Sequence, residues 1–146
     1  MRNGSIRMLD VFIKRIPLDQ DYANEIDLQN TASVYGFCPC ILEVELTSRE
    51  CVVTMEHLGD GTLADIYGED PSNIPVEIWD DIRRIVSILY EVEGIEYPDI
   101  TPYNFMEVEG KIYIIDFGHA KYRDKEPDWF LAEFMDGENS WNPDYK

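Results

Sequence analysis

The residues of this chain best suited to chemistry fall in one stretch. Tyr97-Pro98-Asp99-Ile100-Thr101-Pro102-Tyr103-Asn104 sets an aspartate and an asparagine five apart, and Ile114-Ile115-Asp116-Phe117-Gly118 adds a second aspartate. Carboxylates accept protons from hydroxyl groups, and carboxylate and amide oxygens are hard donors for divalent cations. Singly, each residue has a plainer reading. Asp99 sits in a turn-like Tyr-Pro-Asp run and could be a turn or cap residue. Lys14, in Val11-Phe12-Ile13-Lys14, could be a solvated strand lysine. His119 reads as a packing or capping group and His57 as a solvent-facing side chain. Cys38, Cys40 and Cys51 are odd in number, with no second cysteine pair near either histidine. A structural zinc site wants four ligands. The cysteines therefore read as small hydrophobes in a reducing compartment.

The elements that must carry these groups follow from the patterning. Residues 6–16 are rich in β-branched and apolar types and end at Pro17, which predicts a strand. Tyr22, Ile26, Leu28 and Ala32 recur at near-helical spacing within 20–35, with Gly36 as the stop. Residues 41–47 and 50–56 predict two strands joined through Thr47-Ser48-Arg49, the first alternating like a half-buried strand. A turn at Gly59-Asp60-Gly61, a short helical piece at 62–67 and a loop at 68–73 follow. The strongest helix starts at Pro75, with Trp79, Ile82, Ile85, Val86 and Leu89 on one stripe and Gly94 as its end. Residues 103–108 and 111–115 predict a hairpin turning at Glu109-Gly110, and a last helix spans 127–135 before Gly137. Strands first, then helices with a small hairpin, make an α+β order.

The chain has 146 residues, enough for one domain with a real core. Its 30 acidic residues against 12 basic give a net charge of −18. There is no basic excess to release counterions from a nucleic acid or to dock on an anionic membrane. No apolar run approaches the roughly 20 residues of a membrane span, and Met1-Arg2-Asn3-Gly4-Ser5 lacks the apolar core of a signal peptide. The expectation is an intracellular, non-secreted protein with no nucleic-acid or membrane partner.

In order and spacing, the two motifs resemble the catalytic loop H-R-D-x-x-x-x-N and the metal-binding D-F-G of the protein-kinase-like superfamily. The resemblance covers roughly residues 8–120. It implies a single, minimal bilobal kinase-like domain, with 1–58 a small β-rich N-lobe and hinge and 59–146 a truncated helical C-lobe. The activity implied is phosphoryl transfer from ATP with Mg²⁺. Asp99 takes the base position, and Asn104 and Asp116 take the metal positions. Val11-Phe12-Ile13-Lys14 resembles the V-A-I-K strand, so Lys14 would contact the α- and β-phosphates, with Glu25 as its ion-pair partner. Met55-Glu56-His57-Leu58-Gly59-Asp60-Gly61-Thr62-Leu63 looks like the hinge, where adenine would bond backbone groups around Glu56, His57 and Leu58. Residues 79–92 resemble the long helix before the catalytic loop. Asp99–Asn104, Asp116-Phe117-Gly118-His119-Ala120 and Trp141-Asn142-Pro143-Asp144 are most similar to the short serine/threonine kinase-like proteins of large DNA viruses, including those of algae. If viral, the protein is expected in the host cytoplasm or nucleus.

The departures from that pattern carry their own expectations. Little chain precedes Lys14 and Gly4 is its only glycine, so a Gly-rich phosphate loop is expected to be missing and water exclusion to be poor. Tyr97-Pro98 stands in place of His-Arg, and Thr101 replaces a lysine that neutralises γ-phosphate charge. No A-P-E follows Asp116, so a peptide-binding platform is expected to be absent. Three functions stay open: an ATP- and Mg²⁺-dependent phosphotransferase, a pseudokinase that serves as a protein-interaction module, or, on the viral likeness alone, a virion structural component. The acidic charge opposes ATP's arrival, although Mg²⁺ would reverse the field locally; it favours a basic protein substrate or partner. Trp129, Phe130, Phe134, Trp141 and Tyr145 form either a partner surface or a cap on the lobe.

Overall fold

The computed structural model describes residues 11–59, 61–124 and 127–144. Residues 6–10 of the expected first strand, Asp60 of the expected turn and Tyr145 lie outside the described residues. The order of elements is β1 (Val11–Pro17), α1 (Tyr22–Ser33), β2 (Ile41–Leu46), β3 (Glu50–Glu56), α2 (Leu63–Tyr67), α3 (Val76–Glu93), β4 (Ile95–Glu96), β5 (Phe105–Val108), β6 (Lys111–Ile114), β7 (Lys121–Tyr122) and α4 (Trp129–Met135). This is the expected α+β arrangement, a β-rich N-terminal part followed by a mainly helical C-terminal part.

β1, β3 and β2 form an antiparallel sheet in that spatial order. Lys14 stands opposite Val53 and Phe12 opposite Met55, so these residues share a face. The two-residue period of β3 buries Cys51, Val53 and Met55 on it. β2 departs from the half-buried expectation: only Ile41 is partly covered and the rest is exposed. It is an edge strand, with a register shift between Ile41 and Glu43.

Helix α1 is capped by Asp21, whose carboxylate accepts from Asn24 N–H at 3.2 Å. It serves two cores at once. Tyr22 and Ile26 pack on the small N-terminal cluster of Ile16, Cys51, Val53 and Met55, whereas Leu28 and Ala32 belong to the large cluster.

The large core is built on α3, whose buried stripe adds Ile78 and Tyr90 to the five predicted positions. Gly94, at φ 69°, ends the helix in the left-handed conformation. The β5–β6 hairpin turns through Glu109 at φ 54° and Gly110 at φ 82°, the two positive angles of a type I′ turn. Pro71–Asn73 is a short 3₁₀ turn within the expected loop. Two elements have no sequence signal: β4 and β7 pair with each other, but each is two residues long, too short for periodicity to register. Phe130, Phe134 and Trp141 are buried, so the aromatic end caps the lobe, while Trp129 stays exposed. Among the described residues no helix is long and apolar enough to cross a membrane.

Candidate active site

β1 delivers Lys14 to the cleft. Its ammonium pairs with Glu25 of α1 and lies 3.1 Å from Asp116 Oδ1. Glu25 is only 7% exposed, and a carboxylate that deep needs such a partner. Burial pulls the Lys14 pKa down, but its bond to Glu25 and the charges of Asp116 and Glu25 outweigh it. The net shift is upward, so Lys14 is a fixed cation.

Asp116 follows β6. Its Oδ1 also accepts from Gly118 N–H at 2.8 Å. A Cβ on Gly118 would stand 3.1 Å from that oxygen and 3.7 Å from Glu25 Oε1, so glycine is what lets this turn close around the two carboxylates.

The loop from Tyr97 to Asn104 joins β4 to β5. Fully buried Tyr97 donates its hydroxyl to the main-chain carbonyl of Asp116 at 2.6 Å, tying the two motifs together. Its ring meets Phe105 and Phe117 edge-on. Asp99 is the middle of a three-residue turn closed by Ile100 N–H to Pro98 O at 2.8 Å. Asn104 Nδ2 donates to Asp99 O at 3.0 Å and to Asp99 Oδ2 at 2.8 Å. With its nitrogen so committed, Asn104 has its amide oxygen to offer a cation. Thr101 is buried, and its hydroxyl accepts from Tyr103 N–H at 3.0 Å, so it staples the loop.

His119 departs from its expected packing or capping role. It is exposed, and its Nδ1 lies 3.0 Å from Asp99 Oδ2. The bond to Asp99 raises its pKa, slight burial opposes this, and the charges of Asp99, Asp116 and Glu25 add to the rise. Adjacency to Asp-Phe-Gly was the only sequence signal for this contact. The bond from Tyr97 had no sequence signal.

A cavity of about 370 Å³ lies beside these groups. Lys14, Asn104 and Asp116 line it with polar groups, and Phe12, Met55 and Met106 line it with apolar surface. The expected hinge residues Glu56, His57 and Leu58 line it too, whereas Asp99 adjoins it through Asn104. The Glu56 carboxylate accepts from Cys40 N–H at 2.9 Å, and Glu56 N–H donates to Cys40 O at 3.0 Å. That main-chain donor is therefore already committed. The structure thus brings Lys14, Glu25 and Asp116 into one cluster, and Asp99, Asn104 and His119 into a second beside it.

The donor set at the cavity suits Mg²⁺ in type, since Asp116 and Asn104 offer hard oxygens. Among the described residues no group of three or more His, Cys, Asp or Glu side chains is placed to hold a metal ion. A cation here would complete its shell with water or phosphate oxygens, as Mg²⁺ commonly does.

A lysine paired to a helix glutamate, over a loop carrying Asp and Asn and a following Asp-Phe-Gly, defines the protein-kinase-like superfamily in fold and site layout. Within it, this chain belongs to the RIO domain family, whose model matches residues 36–136. Asp99, Asn104 and Asp116 fall inside that span; Lys14 and Glu25 precede it. The chain is thus a member of a kinase-like, phosphotransferase-type family. It is similar to the KEOPS complex subunit Bud32 of Pyrococcus abyssi (strain GE5 / Orsay), at 29% identity over 86 residues, covering 59% of this chain and 38% of that protein. In fold it is similar to the Cydia pomonella granulovirus kinase PK-1, with a TM-score of 0.64 and 14% identity over 77% of this chain and 43% of that one. The chain spans less than half the length of either protein.

Proposed function

We propose that this chain is an ATP- and Mg²⁺-dependent phosphotransferase of the serine/threonine protein kinase type. The observation that supports this most is the Lys14 ammonium, paired to Glu25 and 3.1 Å from Asp116, in a cavity that Phe12, Met55 and Met106 also line. Phe12, Met55 and Met106 offer apolar contact to a purine ring. Because Glu56 N–H is spent on Cys40, the base edge would bond the Glu56 carbonyl and the backbone of His57 and Leu58. Lys14 would hold the α- and β-phosphates. Asn104 and Asp116 would hold Mg²⁺, which when bound neutralises phosphate charge. Asp99 would orient the acceptor hydroxyl and take its proton, held in aim by Asn104. A net charge of −18 would favour a basic protein as substrate or partner, and the three free thiols support a location inside the cell.

The second reading is a pseudokinase that acts as a protein-interaction module. It is supported by the same −18 charge, which opposes an anionic nucleotide, and by a relative that is named as a subunit of a complex. Thermal unfolding with and without Mg-ATP separates the two. Ligand at about 100 times its Kd stabilises by roughly 2.7 kcal/mol, a Tm rise of about 5–10 °C at this size. A rise that needs Mg²⁺ and disappears in Asp116→Asn supports the nucleotide site. No rise at millimolar Mg-ATP favours the interaction module.

A further inference from the structure

The chain beyond α4 folds back onto the loop that carries Asp99. Trp141 is buried, with its ring 4.6 Å from that of Trp79 on α3. Arg83 donates to Phe134 O and to Asn139 O, each at 2.9 Å, and so fixes the path of the returning segment. This path sets Asn142 against the outside of the Asp99 turn. Asn142 N–H donates to Ile100 O at 2.8 Å, and its Nδ2 donates to Pro98 O, also at 2.8 Å. The carbonyls on both sides of Asp99 are therefore held by one residue. From the other side, Asn104 holds the carbonyl and a carboxylate oxygen of Asp99 itself.

A three-residue turn closed by one main-chain bond is soft by itself, and a side chain at its apex swings with small changes in the backbone. We propose that Asn142 is a positioning residue for Asp99, locking from outside the turn that aims its carboxylate at the acceptor hydroxyl. The proposal rests on the phosphotransferase reading. It concerns a residue beyond the 36–136 span that matches the RIO domain family. Lys14, Asp116 and the hinge sit on other elements, and of the groups proposed to hold Mg-ATP only Asn104 shares this loop, so loss of the lock should slow the transfer step more than it weakens nucleotide binding.

The test uses the full chain and ATP hydrolysis, with water as the acceptor. The water oxygen bonds to the γ-phosphorus, the bond to the β-phosphate oxygen of ADP breaks, and a water proton passes to Asp99. Asn142→Asp keeps the shape and the acceptor oxygen for Asp144 N–H but removes the donor to Pro98 O. Asn142→Ala removes the donor without adding charge. Both variants should lower kcat about tenfold, with any rise in KM for ATP transmitted through Asn104 smaller than that fall. Amide exchange at Ile100 and Asn104 should quicken about tenfold, with α3 unchanged. Rapid loop exchange with unchanged kcat would reduce Asn142 to a structural tie and overturn the proposal. So would unchanged exchange, or a rise in KM alone. Parent turnover no higher than that of Asp99→Asn would remove the phosphotransferase reading itself, and the proposal with it, before any Asn142 variant is compared.

Discussion

His119 Nδ1 and Asn104 Nδ2 approach the same carboxylate oxygen of Asp99, Oδ2, at 3.0 and 2.8 Å. Two neighbours converging on one oxygen orient the group, and in the proposed reaction its other oxygen would face the acceptor hydroxyl. The arrangement joins the two sequence motifs through side chains, as Tyr97 joins them through the backbone.

The bond from His119 to Asp99 sets a pH dependence. It raises the imidazole pKa above its usual value of 6.5. A group whose pKa is higher folded than unfolded contributes stability below the unfolded pKa and loses it as pH rises through the folded one. This contribution is therefore complete below about pH 6.5 and fades as the pH rises through the folded pKa. It is small, because the side chain is 79% exposed. Proton NMR should find the His119 titration above 6.5 in the parent and lower in Asp99→Asn. An unchanged titration in that variant would mean the contact is not made in solution.

Lys14→Met leaves the buried Glu25 carboxylate without its cation. The expected cost is about 1–3 kcal/mol of stability, together with loss of Mg-ATP binding. Glu25→Gln removes the charge that needs pairing, so the double variant should cost less than the two single costs added together. Denaturant unfolding of the four proteins measures this coupling. Strict additivity would show that the pair contributes nothing as a unit.

Gly118→Ala tests how closely the turn must fit around Asp116. The added Cβ would lie 3.1 Å from Asp116 Oδ1, tighter than an ordinary contact. Asp116 is 46% exposed and has room to swing outward, so stability should fall by less than about 1 kcal/mol. The displaced carboxylate should still weaken Mg-ATP affinity about tenfold, or about 1.4 kcal/mol, measured by calorimetric titration. Affinity equal to the parent's would remove Asp116 from the proposed cation site.

What was legible in the sequence follows from which signals are local. The α3 stripe, its Gly94 stop and the Glu109-Gly110 hairpin depend on neighbours within one or two turns of chain, and all appear as read. The meeting of Lys14, Glu25 and Asp116 came from a resemblance, because nothing local brings residue 14 to residue 116. Long-range ties had no signal at all. Asn142 bonds across 44 residues to Pro98, and β4 pairs with β7 through only two residues each. The edge exposure of β2 was also hidden, because alternation alone does not say whether a second layer lies over the apolar side.

Tyr97→Phe isolates the backbone tie between the motifs. The substitution keeps the buried ring and its edge contacts with Phe105 and Phe117, so little apolar area is lost. It removes only the hydroxyl that donates to Asp116 O at 2.6 Å. Complete burial holds the Tyr97 pKa well above 10, helped by the charges of Asp116 and Asp99, so the donor stays protonated at every working pH. Loss of one well-formed buried bond should cost about 1–3 kcal/mol and lower Tm by several degrees, with no pH dependence between pH 6 and 9. Because the freed carbonyl belongs to Asp116, Mg-ATP affinity should fall with stability, whereas a remote core change of equal cost, such as Ile82→Val, should leave affinity alone. Thermal unfolding and nucleotide titration of both variants decide between a specific tie and general loosening: equal affinity in the two would leave Tyr97 as a packing residue only.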